Sequence, residues 1–171
     1  MKIYNSKLLV FLSLILVFVL FSCKKKGCTD LLALNYDNEA AQNDGSCNYQ
    51  SEHFVGQYSV TDSLNGGIIP YEWYSRNYSI EIKQNKNNLS QIIIKNWANL
   101  HPNLSAEFTH VIGQVEDNQF MVTYQDIAGR EGYNARDSKG EVIGDSIFFN
   151  IEFTNFFGEI FWGAGRGKRI E

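Results

Sequence analysis

The sequence predicts an all-β protein, an antiparallel meander closed into a barrel or a sandwich behind a small cysteine-bounded module. Three observations carry this. Apolar and polar residues alternate with period two over Tyr78–Lys83 and again over Ile147–Thr154. Turn-forming residues punctuate the chain at short intervals, and no window sustains a helical period.

The elements follow in order. Phe54, Tyr58 and Val60 share a parity that predicts a first strand, with Gly56 on its inward face. Tyr78, Ile80 and Ile82 set against Ser79, Glu81 and Lys83 predict a half-buried second strand. The stretch from Gln91 to Asn96 is rich in β-branched residues, which suit a pleated surface. Phe108, His110 and Ile112 share one parity, and Phe120, Val122 and Tyr124 another. Ile147, Phe149, Ile151 and Phe153 form the strongest apolar face, expected to meet a core shared with Tyr78, Ile80, Ile82, Phe120 and Val122. Glu81, Lys83 and Glu152 are expected to face water. A glycine-rich last strand over 158–165 carries Ile160 and Trp162 on one face and ends in a frayed tail. Turn signals at Asn65-Gly66-Gly67, at 85–88, at Asp117-Asn118 and at Gly144-Asp145 separate these segments. Seven or eight short strands suit a meander.

The N-terminus has its own logic. Lys2 and Lys7 precede an apolar run from Leu8 to Phe21 broken only by Ser13, the layout of a signal peptide. Leu20-Phe21-Ser22-Cys23 resembles a lipobox: an aliphatic residue, a tolerant position, a small residue and the cysteine that receives lipid. The organisation expected is therefore a signal peptide over 1–22, a lipidated tether over 23–27, a cysteine-bounded module over 28–50 and a β domain over 51–171. The chain has three cysteines, an awkward number for an exported protein, where thiols oxidise in pairs. With Cys23 lipidated, Cys28 and Cys47 remain to form a disulfide. Lys24, Lys25 and Lys26 would then lie at the lipid headgroups. Position 24 lacks the aspartate associated with inner-membrane retention, and the three lysines contrast with the acids that follow the cysteine in surface-exposed lipoproteins. The expected address is the outer membrane, on its periplasmic face. A net charge of −4 argues against a general nucleic-acid partner.

The segment from Cys28 to Cys47 resembles a short module, C-T-D-x-x-A-x-N-Y-x-x-x-A-x-x-D-D-G-S-C, of secreted and surface proteins in Bacteroidota-type bacteria. It departs from that pattern at Leu31 and Asn43. Asp30, Asp37 and Asp44, with Asn35, Asn38 and Asn43, crowd it with oxygen donors, and Gly45 permits a sharp turn. Two readings stand: a calcium site, which needs six to eight oxygens, and turn-capping, in which Asx side chains bond their own backbone. The β domain in turn resembles small lipoproteins of Bacteroidota-type bacteria. The residues that carry the likeness are Phe54-Val-Gly-Gln-Tyr58, Tyr78-Ser-Ile-Glu-Ile82, Ile92-Ile-Ile-Lys-Asn96 and Gly140-Glu-Val-Ile-Gly-Asp-Ser-Ile147. That resemblance implies a lipocalin-like β fold and no reaction.

Candidate chemistry is sparse. Gly163-Ala-Gly-Arg-Gly167 lacks the following helix that a phosphate cradle requires. His53, His101 and His110 match no metal-ligand spacing. No G-x-S-x-G elbow occurs, and Glu107, Glu152 and Glu159 read as solvated charges. Aromatic side chains make up 14% of the chain. Trp73, Tyr74 and Trp97 are the candidate ligand-binding residues at a barrel mouth, beside the simpler role of plugging the barrel ends. Asp62-Ser63-Leu64 and Asp145-Ser146-Ile147 resemble the O-glycan acceptor of the same bacteria, which makes Ser63 and Ser146 candidate modification sites. The function expected is that of a non-enzymatic envelope lipoprotein without a catalytic residue or cofactor, calcium apart, that binds a small apolar ligand or an envelope partner. A hydrolase using carboxylates or His110 in the barrel mouth and a structural or adhesive surface protein are the alternatives.

Overall fold

The computed structural model describes residues 24–67, 73–100 and 109–170. The expected signal peptide, Cys23, Tyr71, His101, Glu107 and Phe108 lie outside the described residues. The chain divides into two compact units, Met1–Asn48 and Tyr49–Glu171.

The first unit is held by covalent and polar links. Strands β1 (Lys26–Gly27) and β2 (Gln42–Asn43) pair in parallel, and a disulfide joins Cys28 to Cys47 with their Cα atoms 4.8 Å apart. Among the described residues of this unit, the apolar side chains that are buried are Cys28 and Ala33, while Leu31, Leu32 and Leu34 are exposed. So small a core cannot order the segment alone. The cross-link, which on the chain-entropy account contributes about 3 kcal/mol for a loop of this size, supplies much of the rest.

The second unit is a closed barrel. It opens with a 3-10 turn, Gln50–Phe54, followed by β3 (Gly56–Gly66), β4 (Tyr74–Gln84), β5 (Gln91–Lys95), β6 (His110–Glu116) and β7 (Gln119–Val122). After two short strands, β8 (Gln125–Asp126) and β9 (Asn134–Ala135), come β10 (Ser138–Ile143), β11 (Ser146–Thr154) and β12 (Ile160–Ile170). Antiparallel pairing runs in the order β10-β7-β6-β5-β4-β3-β12-β11, and β10 pairs again with β11 to close eight strands into a ring. Closure leaves the ring no free edge. The alternation of the sequence becomes inside and outside: Tyr58, Val60, Ile80, Ile82, Ile92, Ile94, Val111, Phe120, Val122 and all of Ile147, Phe149, Ile151 and Phe153 are buried. Lys83 is exposed, while Glu81 and Glu152 are half-buried on the outer wall, each in an ion pair.

Four expectations are corrected. On β6 the inward face belongs to Val111, Gly113 and Val115, and His110 and Ile112 turn outward. Those inward residues share the parity of Ile92 and Ile94 in the register Ile92↔Gly113 and Ile94↔Val111. Phe54 precedes the first strand, in the 3-10 turn. Tyr124 lies past the end of β7 and is exposed. The tail is no frayed end, because β12 pairs with β3 as far as Ile170. Its inward positions are the reason. A Cβ at Gly165 would lie 2.6 Å from the Phe149 ring, and one at Gly167 would lie 2.8 Å from Val60. Bare backbone lets large neighbours fill the barrel there, so the glycines mark close packing.

Candidate functional site

The two ends of the barrel differ. At the end where β3 begins and β12 finishes, the 3-10 turn lies across the opening with Phe54 fully buried, its ring edge-on to Phe120 at 5.8 Å. Polar bonds fix it: the Ser51 hydroxyl donates to the Leu89 carbonyl, and the Tyr58 hydroxyl donates to the Phe54 carbonyl at 2.9 Å. Arg169 comes from the last strand, donates to the His53 carbonyl at 2.8 Å and to the Tyr58 hydroxyl at 2.7 Å, and lies 5.3 Å from the Tyr58 ring centre. Burial raises the Tyr58 phenol above its ordinary value, and the Arg169 hydrogen bond opposes that rise. This end is closed.

The interior between the ends is filled. Trp97, Tyr58, Phe54, Phe120 and seven isoleucines are almost wholly removed from solvent. The Phe120 ring occupies the space over Gly140, and Trp97 packs on Phe149 with ring centres 5.6 Å apart. Trp97 is thus a core residue in a short 3-10 turn, Trp97–Asn99. Its indole Nε1–H finds no acceptor among the described residues.

At the opposite end a polar cluster sits inside the wall. Asp62 occupies an inward position of β3 with its side chain fully buried. It accepts two bonds from Arg76, Nε at 3.0 Å and Nη2 at 2.6 Å, and one from the Tyr78 hydroxyl at 2.7 Å. Register places Arg76 directly opposite Asp62 and Tyr78 opposite Val60, so both partners come from the inward face of β4. The bidentate fork satisfies the buried carboxylate, as charge burial requires. Burial, with the Asp62 carboxylate adding to it, pushes the Tyr78 phenol well above its ordinary value. The sequence carried a signal for this cluster: Asp62 shares its parity with Tyr58, Val60 and Leu64, and Arg76 shares that of Tyr78 and Ile80, charged residues in apolar rows.

The rim of this open end is aromatic. Trp73 and Trp162 meet edge to face at 5.0 Å, and both are about half exposed. Tyr74, Tyr124, Phe156, Phe157 and Ile160 are also exposed, in the segments that begin or end strands here. Phe156 and Phe157 lie in the 155–159 turn joining β11 to β12, where an Asn155 side chain accepts from the Phe157 and Glu159 amides. The β8–β9 hairpin lies at the same end, tied to β11 through Phe153↔Ala135 and to β6 through His110↔Ala128. Of the candidate ligand-binding residues, Trp73 and Tyr74 are on the rim and Trp97 is beneath it.

The remaining sequence candidates fall elsewhere. Asp30, Asp37 and Asp44 do not converge. Each accepts a backbone N–H two residues on, from Leu32, Glu39 and Ser46, at 2.9 to 3.0 Å. Lys25 lies 2.9 Å from Asp37 and holds its carboxyl below the ordinary range. Among the described residues no three His, Cys, Asp or Glu side chains are grouped to hold a metal ion. His110 stands on the outer wall opposite Lys95, and Glu152 pairs with Arg136 at 2.7 Å. Ser63 lies on the outer wall of β3 and Ser146 at the start of β11.

A closed, eight-stranded antiparallel barrel with up-and-down neighbours defines the class: a lipocalin-like β protein, carrying in addition a disulfide-closed N-terminal unit. No protein-family model and no curated protein matches the chain. Among solved structures it is similar to a protein of unknown function from the DUF3598 family of Nostoc punctiforme, with 9% sequence identity and a TM-score of 0.38. That likeness covers 70% of this chain and spans 49% of the other.

Proposed function

We propose that this chain is a lipid-anchored, non-enzymatic protein of the bacterial cell envelope that binds a small apolar ligand at the aromatic rim of its barrel. The rim carries the reading. One end of the barrel is plugged and the interior is packed, whereas the other end exposes Trp73, Tyr74, Phe156, Phe157 and Trp162. Exposed apolar clusters of this kind mark contact with an apolar partner. The ligand lies against the rim, since side chains occupy the space beneath it. The anchor reading rests on Leu20-Phe21-Ser22-Cys23, with Cys23 as the lipidated residue, and the outer membrane facing the periplasm as the location.

Titration with 9,10-dibromostearate tests the binding site, because bromine quenches nearby indoles. Trp73 and Trp162 are 56% and 49% exposed and Trp97 is at 0%, so the expected result is quenching of the rim pair alone. The variant carrying Trp73→Phe and Trp162→Phe should then show none. Quenching of Trp97 in that variant, or no quenching of the wild type, overturns the rim as the site. For the anchor, Cys23→Ala should abolish labelling by radioactive palmitate, and persistent labelling refutes it.

A further inference from the structure

The outer wall of the barrel carries a feature that the rim reading does not use. A trough of about 790 Å3 runs across the strands on the outside of the sheet, within the size range of small-molecule sites. Its origin is a row of short side chains. Ala164, Ser63 and Ser75 are register neighbours on β12, β3 and β4, and all three line the trough. Asn150, the partner of Ala164, continues the row on β11, where its Oδ1 accepts the Lys139 backbone amide from β10. The next row towards the closed end stands taller: Glu141, Phe148, Arg166 and Thr61 are neighbours in unbroken register. A floor of hydroxyls, an amide and one methyl thus lies beside a raised row that bears the Phe148 ring.

We infer that this trough is a binding site for an acidic oligosaccharide, a chain of sugar rings carrying carboxylates. Four features select that class. Phe148 is 41% exposed on a rigid strand, and such a ring stacks on the apolar face of a sugar. The floor offers short donors and acceptors held by strands, matching sugar hydroxyls. The Lys139 ammonium and the Arg166 guanidinium have no carboxylate partner among the described residues, and in the lining they outnumber the acid Glu141. A second depression adjoins the first, shares Thr61, Phe148 and Arg166, and adds Lys168, itself 3.5 Å from Asp145, so the trough continues along the wall as a chain of sugar rings requires. Unpaired cations beside a stacking ring complement a carboxylate on a sugar ring better than a neutral sugar or a bare hydrocarbon.

The test is calorimetric titration of the full chain with hexagalacturonate and with neutral maltohexaose. The acidic hexamer should bind at least about tenfold more tightly, and its affinity should fall as salt rises. Lys139→Gln with Arg166→Gln should erase the preference. Phe148→Ala should weaken the acidic hexamer by about tenfold or more, while leaving dibromostearate quenching unchanged. All three side chains point to solvent, so each variant should keep the wild-type melting temperature. Absence of binding, equal affinity for the two hexamers, or wild-type affinity in Phe148→Ala would each overturn the inference.

Discussion

Replacing Asp62 by alanine isolates the only charge pair buried inside the barrel wall among the described residues. In the folded chain its carboxylate has no exposed area and accepts three hydrogen bonds from Arg76 and Tyr78. Alanine removes the acceptor and leaves the guanidinium and the phenol facing one another without a partner. Breaking a buried pair from one side costs about 3–5 kcal/mol. Arg76 retains 24% of its side-chain exposure, so water can solvate part of the guanidinium, and the expected cost is at the lower end, about 3 kcal/mol. Against a total stability of about 5–15 kcal/mol, that is a large share. Asp62→Asn keeps the shape and one acceptor oxygen, and should cost less. Asp62→Leu combined with Arg76→Met removes both charges and should recover most of the loss. The assay is urea unfolding at neutral pH, followed by fluorescence and by circular dichroism to establish a single transition. A loss below about 1 kcal/mol for Asp62→Ala, or additive losses in the double variant, would show that the pair behaves as an exposed one.

The same cluster sets an alkaline limit. The Tyr78 phenol is raised in the folded chain, so folding favours its neutral form; this contribution is complete below the ordinary phenol value near 10 and is lost as pH climbs beyond it. Tyr78→Phe should therefore flatten the fall in urea midpoint between pH 9 and about 11, and an unchanged slope would assign the loss to other tyrosines. Gly140→Ala should cost about 1–3 kcal/mol, because the new methyl meets the Phe120 ring and the Phe148 carbonyl. An unchanged melting temperature would mean that the wall yields there. Ile151→Ala should cost about 2–5 kcal/mol and its outward neighbour Glu152→Ala under about 1 kcal/mol, since only the first is in the core. Equal losses in the urea midpoint would refute the facing of β11. Reduction of Cys28–Cys47 should speed amide exchange at Asp37 and Ala41, whose N–H groups bond the Cys28 and Lys25 carbonyls. Unaltered exchange would show that the polar contacts suffice without the cross-link.

Period-two alternation is a local property, and it settled much of the barrel before any contact was known. Ile147, Phe149, Ile151 and Phe153 had to face one way because a slip by one residue would send the whole set to water. The same rule placed Ile80, Ile82, Phe120 and Val122 inside and Lys83 outside. A disulfide between Cys28 and Cys47 was legible from cysteine parity, which needs no geometry. Where a segment carries apolar residues on both faces, the rule is silent. On β6, Val111 and Ile112 are equivalent in sequence, and only the register with Ile92 and Ile94 on β5 turned Val111 inward.

Closure itself was a tertiary decision. The choice between a barrel and a sandwich depends on whether the last strand, β12, pairs back onto the first, β3, a contact across the whole meander. The function of the C-terminal glycines was equally hidden, because a glycine's role is set by what fills the space beside it. Gly165 reads as a flexible tail until the Phe149 ring is placed against it. The same holds for Trp97, which short-range pattern put at a mouth and packing put in the core. Asp62 stood in an apolar row, but its partners Arg76 and Tyr78 reach it only through the β3–β4 register. Sequence alone determined which residues must escape water, since that depends on each side chain and its parity. The tertiary structure decided which of them meet, because pairing across strands far apart in the chain is fixed only when the sheet closes.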